Sequence, residues 1–388
     1  MRPRRSATRD DGIRGVPQGA VRPVGHRHRA YRHVAGGIRA AVSRGAVGPP
    51  GDPLAVPALE RFPPSARRVL VTGASGFVGA NLCRWLLRDG HSVHAVVRPG
   101  TDTWRIEEIR GDITLHRLEL RDAEAVRTTI GAVRADWLFH LAAHGAYSRQ
   151  TDTAAIFATN TDATAGLVDL AGAGAFEAFV QAGSTAEYGF KDHPARESEP
   201  VAPLGSYAIS KAAATRYART VSMERGAHIV TLRLSTAYGP WEDPYRLMPA
   251  LAMFGLRRRL PPLTDPKTVR DFVFVDDVCE AFVRAARATH LKHGSIFNIG
   301  SGTPTSLAEL VDLARGELAI DEQPRWSTMA PRTWDTMLCV ADCARSRRRL
   351  GWRPSRGLAE GFRALVDWLE RNSRARARYA RSMGIPLG

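Results

Sequence analysis

From residue 67 onward, short apolar runs alternate with segments whose apolar positions follow helical spacing. The apolar runs are bounded by glycine or polar residues and predict strands at 67–73, 91–97, 113–120, 135–143, 176–182 and 228–234. The intervening segments predict helices at 77–90, 122–133 and 152–172, and a further helix that begins near residue 206. Strands that alternate with helices predict an α/β fold, a doubly wound parallel sheet covered by helices on both faces.

The alternation weakens after residue 238, where proline-rich loops occupy 239–249 and 257–266. Further apolar segments follow, and two helical patterns close the chain. We therefore predict a first domain at 66–240 and a smaller C-terminal lobe at 241–375, which also returns elements to the sheet. A basic tail is predicted at 376–388.

The positive charge of the chain is concentrated near its start. The 388 residues carry a formal net charge of +16, and residues 1–68 hold 14 arginines against four acidic residues. Residues 1–65 lack a helical or strand period and are rich in Arg, Gly and Pro, so we predict a disordered leader. An inert extension is favoured over an organellar transit peptide or a nucleic-acid-binding arm. Because little net charge lies elsewhere, nucleic acid is not an expected partner.

Apolar runs and cysteines bound the remaining classes. No apolar run reaches the roughly 18 residues that a membrane-spanning helix needs, so no membrane association is expected. The four cysteines, Cys83, Cys279, Cys339 and Cys343, lack the partners of a zinc site. We expect no metal, and we interpret the cysteines as buried free thiols of a cytoplasmic protein.

A glycine-rich segment, VLVTGASGFVGANL, joins the first predicted strand to the first helix. Gly73 permits a tight turn, Gly76 lets the backbone approach a pyrophosphate, and Gly79 allows close packing of helix against strand. Phosphate groups would then lie over the helix N-terminus. In an alternating α/β pattern, this loop predicts a Rossmann domain that binds a dinucleotide.

The end of the second strand bears on which dinucleotide is bound. An acidic residue there would hold the ribose 2′-hydroxyl of NAD, but Arg98 follows the strand in AVVRPGTDTW. An arginine suits the 2′-phosphate of NADP. Asp102 would instead serve NAD if Arg98 is a solvated loop residue, so both cofactors stay open.

Three residues predict a site for proton transfer. Tyr207 and Lys211, in GSYAISK, lie four apart on one face of the helix that begins near 206. A neighbouring ammonium favours the phenolate and lowers the pKa of a tyrosine towards the range useful for a base. Ser184, in GSTAEYG, ends the fifth strand at the carboxyl edge of the sheet, where α/β proteins place their sites.

The segments TGASGFVG, GSTAEYG and YAISK, in this order and spacing, resemble the extended short-chain dehydrogenase/reductase family. More narrowly, they are similar to its NAD-dependent epimerase/dehydratase branch, which acts on nucleotide sugars. The resemblance covers roughly residues 67–372 and includes FHLAA after the fourth strand and LRLSTAYGP after the sixth. It implies a nucleotide-diphosphate sugar as substrate and a catalytic triad of Ser184, Tyr207 and Lys211.

The resemblance also implies which residues surround the two ligands. Together with Arg98, the cofactor set is Gly73, Ser75, Gly76, Phe77, Val78, Gly79, Glu119, Leu120, Leu141, Ala142, Ala143, Asn160, Tyr207, Lys211 and Ser235. The substrate set is Thr185, Glu187, Arg270 and Arg332, whose two arginines would grip the diphosphate. Members of the family often pair through two long helices, which implies a homodimer through 152–172 and 206–224.

The resemblance leaves three reactions, all of which use Tyr207 to exchange a proton with a sugar oxygen, usually at C4. Dehydratases of this branch typically carry Thr-Asp-Glu where this chain has Ser184, Thr185 and Ala186, so dehydration is disfavoured. Glu187, one place later, stays open as a displaced base. We favour a nucleotide-sugar epimerase, with an NADPH-dependent 4-keto-sugar reductase next. A non-catalytic dinucleotide-binding regulator is the alternative of another class, and the complete triad argues against it.

Overall fold

The computed structural model describes residues 66–147, 149–328 and 338–386. The predicted leader at 1–65 and Arg332 lie outside the described residues. The strands are β1 (Arg68–Thr72), β2 (Ser92–Val97), β3 (Thr114–Arg117), β4 (Trp137–His140), β5 (Ala178–Ser184), β6 (Ile229–Leu234), β7 (Thr236–Tyr238), β8 (Val269–Phe274), β9 (Ile296–Ile299), β10 (Pro304–Ser306) and β11 (Leu338–Cys339).

The α-helices alternate with these strands in the first half of the fold and dominate its end. They are α1 (Phe77–Arg88), α2 (Ala123–Val133), α3 (Thr153–Phe157), α4 (Ala163–Gly172), α5 (Gly205–Arg225), α6 (Leu247–Gly255), α7 (Val275–Arg287), α8 (Leu307–Leu318), α9 (Leu358–Arg371) and α10 (Ser373–Met383). A π-helical turn, Ala158–Asp162, joins α3 to α4 within the predicted helix at 152–172. The predicted boundary between the lobe and the basic tail, at 375/376, falls inside α10.

The main sheet confirms the doubly wound architecture. Its order is β3-β2-β1-β4-β5-β6-β9, and every neighbouring pair is parallel. The chain winds outward in one direction from β1 to β3 and in the other from β4 to β9, so the order reverses between β1 and β4. Ligands of such sheets bind in the crevice at the carboxyl ends of the strands at this reversal.

Apolar side chains fill the space between this sheet and the helices that cover it. Phe139 of β4 and Phe282 of α7 are both fully buried, and their rings meet edge to face with centroids 6.1 Å apart. Burial of one such side chain contributes about 1.5–3 kcal/mol. This packing fixes the strand ends from which the site is built.

The smaller lobe has its own sheet and core. β8 pairs in parallel with β7 and β11 and antiparallel with β10. Leu310 of α8 and Phe362 of α9 are fully buried in the core of this lobe. Because β7 directly follows β6, the lobe begins where an inner strand of the main sheet ends.

Helix length and cysteine burial are two further features of the fold. No helix of the described residues combines the length and apolar character needed to cross a membrane. Cys83, Cys279 and Cys343 are buried free thiols, as predicted, but Cys339 is half-exposed because it lies on the short strand β11 beside the site. Burial raises the pKa of the Cys83 thiol to about 12.

Candidate active site

Two glycines where β1 passes into α1 leave no room for a side chain. Gly73 has φ +69°, and a Cβ added there would lie 2.6 Å from the Ala142 amide nitrogen. A Cβ added to Gly79 would lie 2.2 Å from the Gly73 carbonyl oxygen. Gly76 is the N-cap of α1, whose first turn carries no acidic residue. Its free backbone N–H groups and the helix dipole suit a pyrophosphate, so the residues present fit a dinucleotide.

A cleft of about 610 Å³ opens above this loop at the carboxyl ends of β1, β2 and β4. Its size is that of a small-molecule site. From the predicted cofactor set, it is lined by Gly73, Ser75, Gly76, Arg98, Glu119, Leu120, Leu141, Ala142 and Ala143. Phe77, Val78 and Gly79 instead begin α1, next to the cleft. The structure therefore brings most of the predicted set together along one groove.

Charged residues surround the end of the cleft next to β2. Arg98 and Asp102 both line it. The Asp102 carboxylate accepts a hydrogen bond from the Trp104 amide at 3.0 Å and pairs with Arg378 of α10. Hydrogen bonding to Arg121 lowers the pKa of Glu119. Asp102 is therefore engaged by the protein itself, and Arg98 lines the same end of the cleft.

The C-terminal helix α10 forms a wall of this cleft, which the sequence did not predict. Arg378, Tyr379 and Ser382 line it. Tyr379 is fully buried and donates a hydrogen bond to the Glu242 carbonyl, while Tyr245 donates to the Ser382 carbonyl. The spacing of buried Ala375 and Tyr379, four apart among arginines, was the available signal for an amphipathic helix.

A hydrogen-bond network fixes the backbone that follows β4. Asn160, in the π-helical turn, is fully buried, and its amide exchanges hydrogen bonds of 2.8 Å with both the backbone N–H and the C=O of His144. It also donates to Ser210 of α5 at 2.9 Å. Asn160 therefore ties the cleft wall to α5. Its predicted contact with the cofactor stays a prediction, and these hydrogen bonds are the contacts that it makes within the protein.

Ser184, Tyr207 and Lys211 are brought together by β5 and α5. Ser184 is the last residue of β5, and Tyr207 and Lys211 occupy the first two turns of α5. The Ser184 hydroxyl lies within hydrogen-bonding reach of the Tyr207 phenol and lowers its pKa. Burial outweighs this effect and raises the pKa of Tyr207, which reverses the lowering expected from the sequence. Burial also lowers the pKa of Lys211 to about 8.

Two loop residues connect the triad to the cleft. Tyr147 lines the cleft, and the Arg246 guanidinium lies 5.1 Å from the centre of its ring. Arg246 donates to the Ala146 carbonyl at 2.7 Å, and its positive charge lowers the pKa of Tyr207. Sequence reasoning missed both residues because loops carry no periodic pattern.

The residues predicted to contact substrate divide into two groups. Thr185 donates to the Leu234 carbonyl at 3.2 Å and lies 3.3 Å from the Cys339 sulfur. Cys339 pairs with Arg270 in the register of β11 and β8. These two strands therefore bring Thr185, Cys339 and Arg270 to one side of the site, which we call the substrate edge. Ser235, which stays a predicted neighbour of the nicotinamide, donates to Asp271 at 3.0 Å.

Glu187 does not face this edge. It is fully buried, and its two carboxylate oxygens bind Ser184, Thr215 and Arg233. This burial gives no support to the prediction that Glu187 contacts substrate or acts as a displaced base. The reason is that Thr185–Tyr188 forms a 3₁₀ turn, which directs Glu187 back beneath the strand.

Among the described residues, no group of three or more His, Cys, Asp or Glu side chains forms a metal site.

Comparison with known proteins agrees with this geometry. Residues 69–300 match the model of the NAD-dependent epimerase/dehydratase family. A UDP-glucose 4-epimerase from Mycolicibacterium smegmatis is 32% identical over 320 residues, which cover 79% of this chain and 99% of the relative. A dTDP-glucose 4,6-dehydratase from Streptomyces griseus is 31% identical over 320 residues, which cover 78% of this chain and 94% of the relative.

A solved structure shows the same similarity. The UDP-glucose 4-epimerase of Thermus thermophilus, in complex with NAD, superimposes with a TM-score of 0.68 at 29% identity and covers 77% of this chain and 98% of its own. The matched family model, the relatives and the parallel sheet with its glycine-rich loop agree with one another. The chain belongs to the NAD-dependent epimerase/dehydratase family.

Proposed function

We propose that this protein is a nucleotide-sugar 4-epimerase that uses NAD. The carrying observation is the arrangement at the end of β5. Ser184 lies beside Tyr207, Lys211 follows one turn later on α5, and none of the three residues after Ser184 presents a carboxylate to the substrate. Thr185 and Ala186 have no carboxyl group, and Glu187 is buried. The set is complete for reversible proton transfer at one sugar oxygen.

Each member of the triad has a separate role. NAD, when bound, supplies the hydride acceptor and donor for the sugar carbon. Tyr207 takes the proton of the C4 hydroxyl as general base and returns it as general acid. Ser184 donates a hydrogen bond to the same sugar oxygen. The Lys211 ammonium stabilises the phenolate form, and it stays charged below about pH 8 because its pKa is lowered to about 8.

A 4,6-dehydratase needs an additional acid and base to remove a proton from C5 and water from C6. The residues after Ser184 offer neither at the substrate edge. This observation favours epimerisation, although one of the relatives is a dTDP-glucose 4,6-dehydratase.

An NADPH-dependent 4-keto-sugar reductase is the second candidate, and Arg98 favours it. This arginine lines the cleft at the end of β2, where it suits a 2′-phosphate. A reductase must exchange its cofactor at each turnover. The wall that α10 adds to the cleft, held by the contact of Arg378 with Asp102, favours a retained cofactor and therefore the epimerase.

We also propose a homodimer in the cytoplasm. Ile209, Tyr217 and Met223 of α5 expose 43%, 37% and 59% of their surface. Large apolar side chains on one long helix suit burial against a second copy. The free thiols suit a reducing compartment.

The test is to purify the protein, identify its bound nucleotide and assay Tyr207→Phe. Tightly held NAD supports the epimerase, and an empty site that binds NADPH supports the reductase. Tyr207→Phe is expected to lose about 10²- to 10⁴-fold in turnover, the contribution of a positioned general acid–base, and to keep its cofactor. Full activity of this variant would overturn the proposed roles.

A further inference from the structure

One buried carboxylate joins the two elements that carry the triad. Glu187 Oε1 accepts hydrogen bonds from the Ser184 amide at 2.9 Å and from the Thr215 hydroxyl at 3.1 Å. Ser184 ends β5, whereas Thr215 lies one turn beyond Lys211 on α5. A single oxygen atom therefore links the strand end that presents Ser184 to the helix that presents Tyr207 and Lys211.

The second oxygen of this carboxylate is held by a buried arginine. Arg233 of β6 donates from Nε to Glu187 Oε2 at 2.8 Å, and its guanidinium lies 4.5 Å from the Tyr188 ring centre. Arg233 is 4% exposed. Its Nη1 atom has no hydrogen-bond partner among the described residues. The ion pair with Glu187 balances the positive charge of this buried guanidinium.

Gly183 leaves space for the Glu187 carboxylate because it has no side chain. A Cβ added to Gly183 would lie 2.8 Å from Glu187 Oε1. The turn itself is a capping box, in which the Ser184 hydroxyl accepts from the Ala186 amide while Glu187 accepts from the Ser184 amide. Strand, turn and glycine together place this carboxylate beneath the catalytic serine.

From these contacts we propose that Glu187 is a positioning residue that sets Ser184 against Tyr207 and Lys211 and supplies the negative charge beneath the site. The proposal rests on the proposed function, since it assigns Glu187 a part in the same reaction. It gives Glu187 no contact with substrate, and it differs from a plain ion pair because the carboxylate also binds both triad-bearing elements.

The neighbouring charges determine how Glu187 changes the pKa values of Lys211 and Tyr207. Burial raises the pKa of Glu187, and the charges of Arg233 and Lys211 oppose that rise. Burial lowers the pKa of Lys211 to about 8, and Glu187 opposes that fall. His140, which also faces Lys211, is buried, and its pKa is lowered to about 3, so it is neutral. Loss of the carboxylate charge therefore lowers the pKa of Lys211 further. Because Glu187 also raises the pKa of Tyr207, both catalytic pKa values move in the same direction.

The composition of the chain permits a direct test. It contains four lysines, Lys191, Lys211, Lys267 and Lys292. Labelling lysine with ¹³C at Cε gives a spectrum of four signals, in which that of Lys211 is assigned by its absence from Lys211→Arg. This pH titration needs no substrate and is made on the full chain with its bound cofactor.

Two variants and a matched control are compared with the unmodified protein. Glu187→Gln removes the charge but leaves Arg233 unpaired, so the double variant Glu187→Gln/Arg233→Gln keeps a hydrogen-bonded pair without a buried lone charge. Glu309→Gln is the control, because Glu309 is the third residue of another capping box, at Ser306 in the smaller lobe.

In the double variant, the titration midpoint of Lys211 is expected to fall by about one pH unit, the lower end for a neighbouring charge. The pH optimum of kcat should move down with it, and turnover at pH 8 should fall about fivefold. Glu309→Gln should change neither. If the folded double variant keeps the wild-type midpoint and pH profile, the proposal is overturned and Glu187 is a structural ion-pair member. Full activity of Tyr207→Phe would instead overturn the proposed function, so the two failures are distinguishable.

Discussion

Substitution of Gly79 by alanine tests the dinucleotide loop at its tightest contact. The added Cβ would lie 2.2 Å from the Gly73 carbonyl oxygen and 2.9 Å from its carbonyl carbon. Ordinary contacts begin near 3.4 Å, so α1 and the loop must separate by roughly 1 Å. Both obstructing atoms belong to the backbone, and the Gly73 carbonyl also accepts from the Gly76 amide at 2.9 Å. The strain therefore cannot be relieved by rotation of a side chain.

The expected cost follows from the hydrogen bonds that the N-terminus of α1 makes to a pyrophosphate. A hydrogen bond to a charged group contributes about 1.5–3 kcal/mol. Loss of one such bond lowers the affinity for NAD roughly 10- to 100-fold. Isothermal titration of NAD into cofactor-free protein measures this change, and thermal unfolding in the same buffer reports whether the variant is folded.

Gly131→Ala is the matched control. Gly131 also lies within a helix, α2, but a Cβ added there meets nothing within 4 Å. This variant is expected to raise the free energy of unfolding by about 0.5–1 kcal/mol, because alanine restricts the unfolded chain, and to leave NAD affinity unchanged. If Gly79→Ala binds NAD within threefold of the unmodified protein, the role assigned to the loop is wrong.

Three further predictions concern the triad, the cleft wall and assembly. Because the pKa of Lys211 is about 8, kcat should decline above pH 8, and the residual activity of Lys211→Arg should lack that alkaline limb. Arg378→Ala removes the contact to Asp102, and stopped-flow displacement should show NAD dissociating up to about fivefold faster, as expected for an exposed ion pair. Equal rates would exclude α10 from cofactor retention. Sedimentation at micromolar concentration should give a dimer for the unmodified protein and a shift towards monomer for Met223→Asp, and a monomeric unmodified protein would refute the pairing.

The parts of the fold that follow from local pattern could be predicted from the sequence. Apolar runs alternate with helical spacing wherever a strand is buried on both faces, so the parallel sheet was readable. The glycine spacing of the loop has a steric cause, which the contacts of Gly73 and Gly79 reproduce. The spacing of Tyr207 and Lys211 placed both on one face of α5 because the helix is regular there.

Features that depend on contacts between distant segments could not be predicted in this way. Arg378 contacts Asp102, which lies 276 residues earlier in the sequence. The sequence of the tail alone therefore did not show that α10 lines the cleft. Glu187 stayed open as a base in the sequence, because its direction depends on the 3₁₀ turn that follows β5. The pKa of Tyr207 depends on burial, which the Tyr–Lys spacing alone does not contain. For Arg378 and Tyr207, the missing information was which surfaces meet.

The central claim is that hydride leaves the sugar at C4 and returns to the same carbon. The direct measurement uses UDP-glucose and dTDP-glucose that carry deuterium at C4, with product analysis by NMR and mass spectrometry in ordinary water. We expect the C4 epimer with deuterium retained at C4, no loss of water and no net consumption of nicotinamide cofactor. A product that has lost water, or turnover that consumes NADPH in proportion to product, would contradict the account.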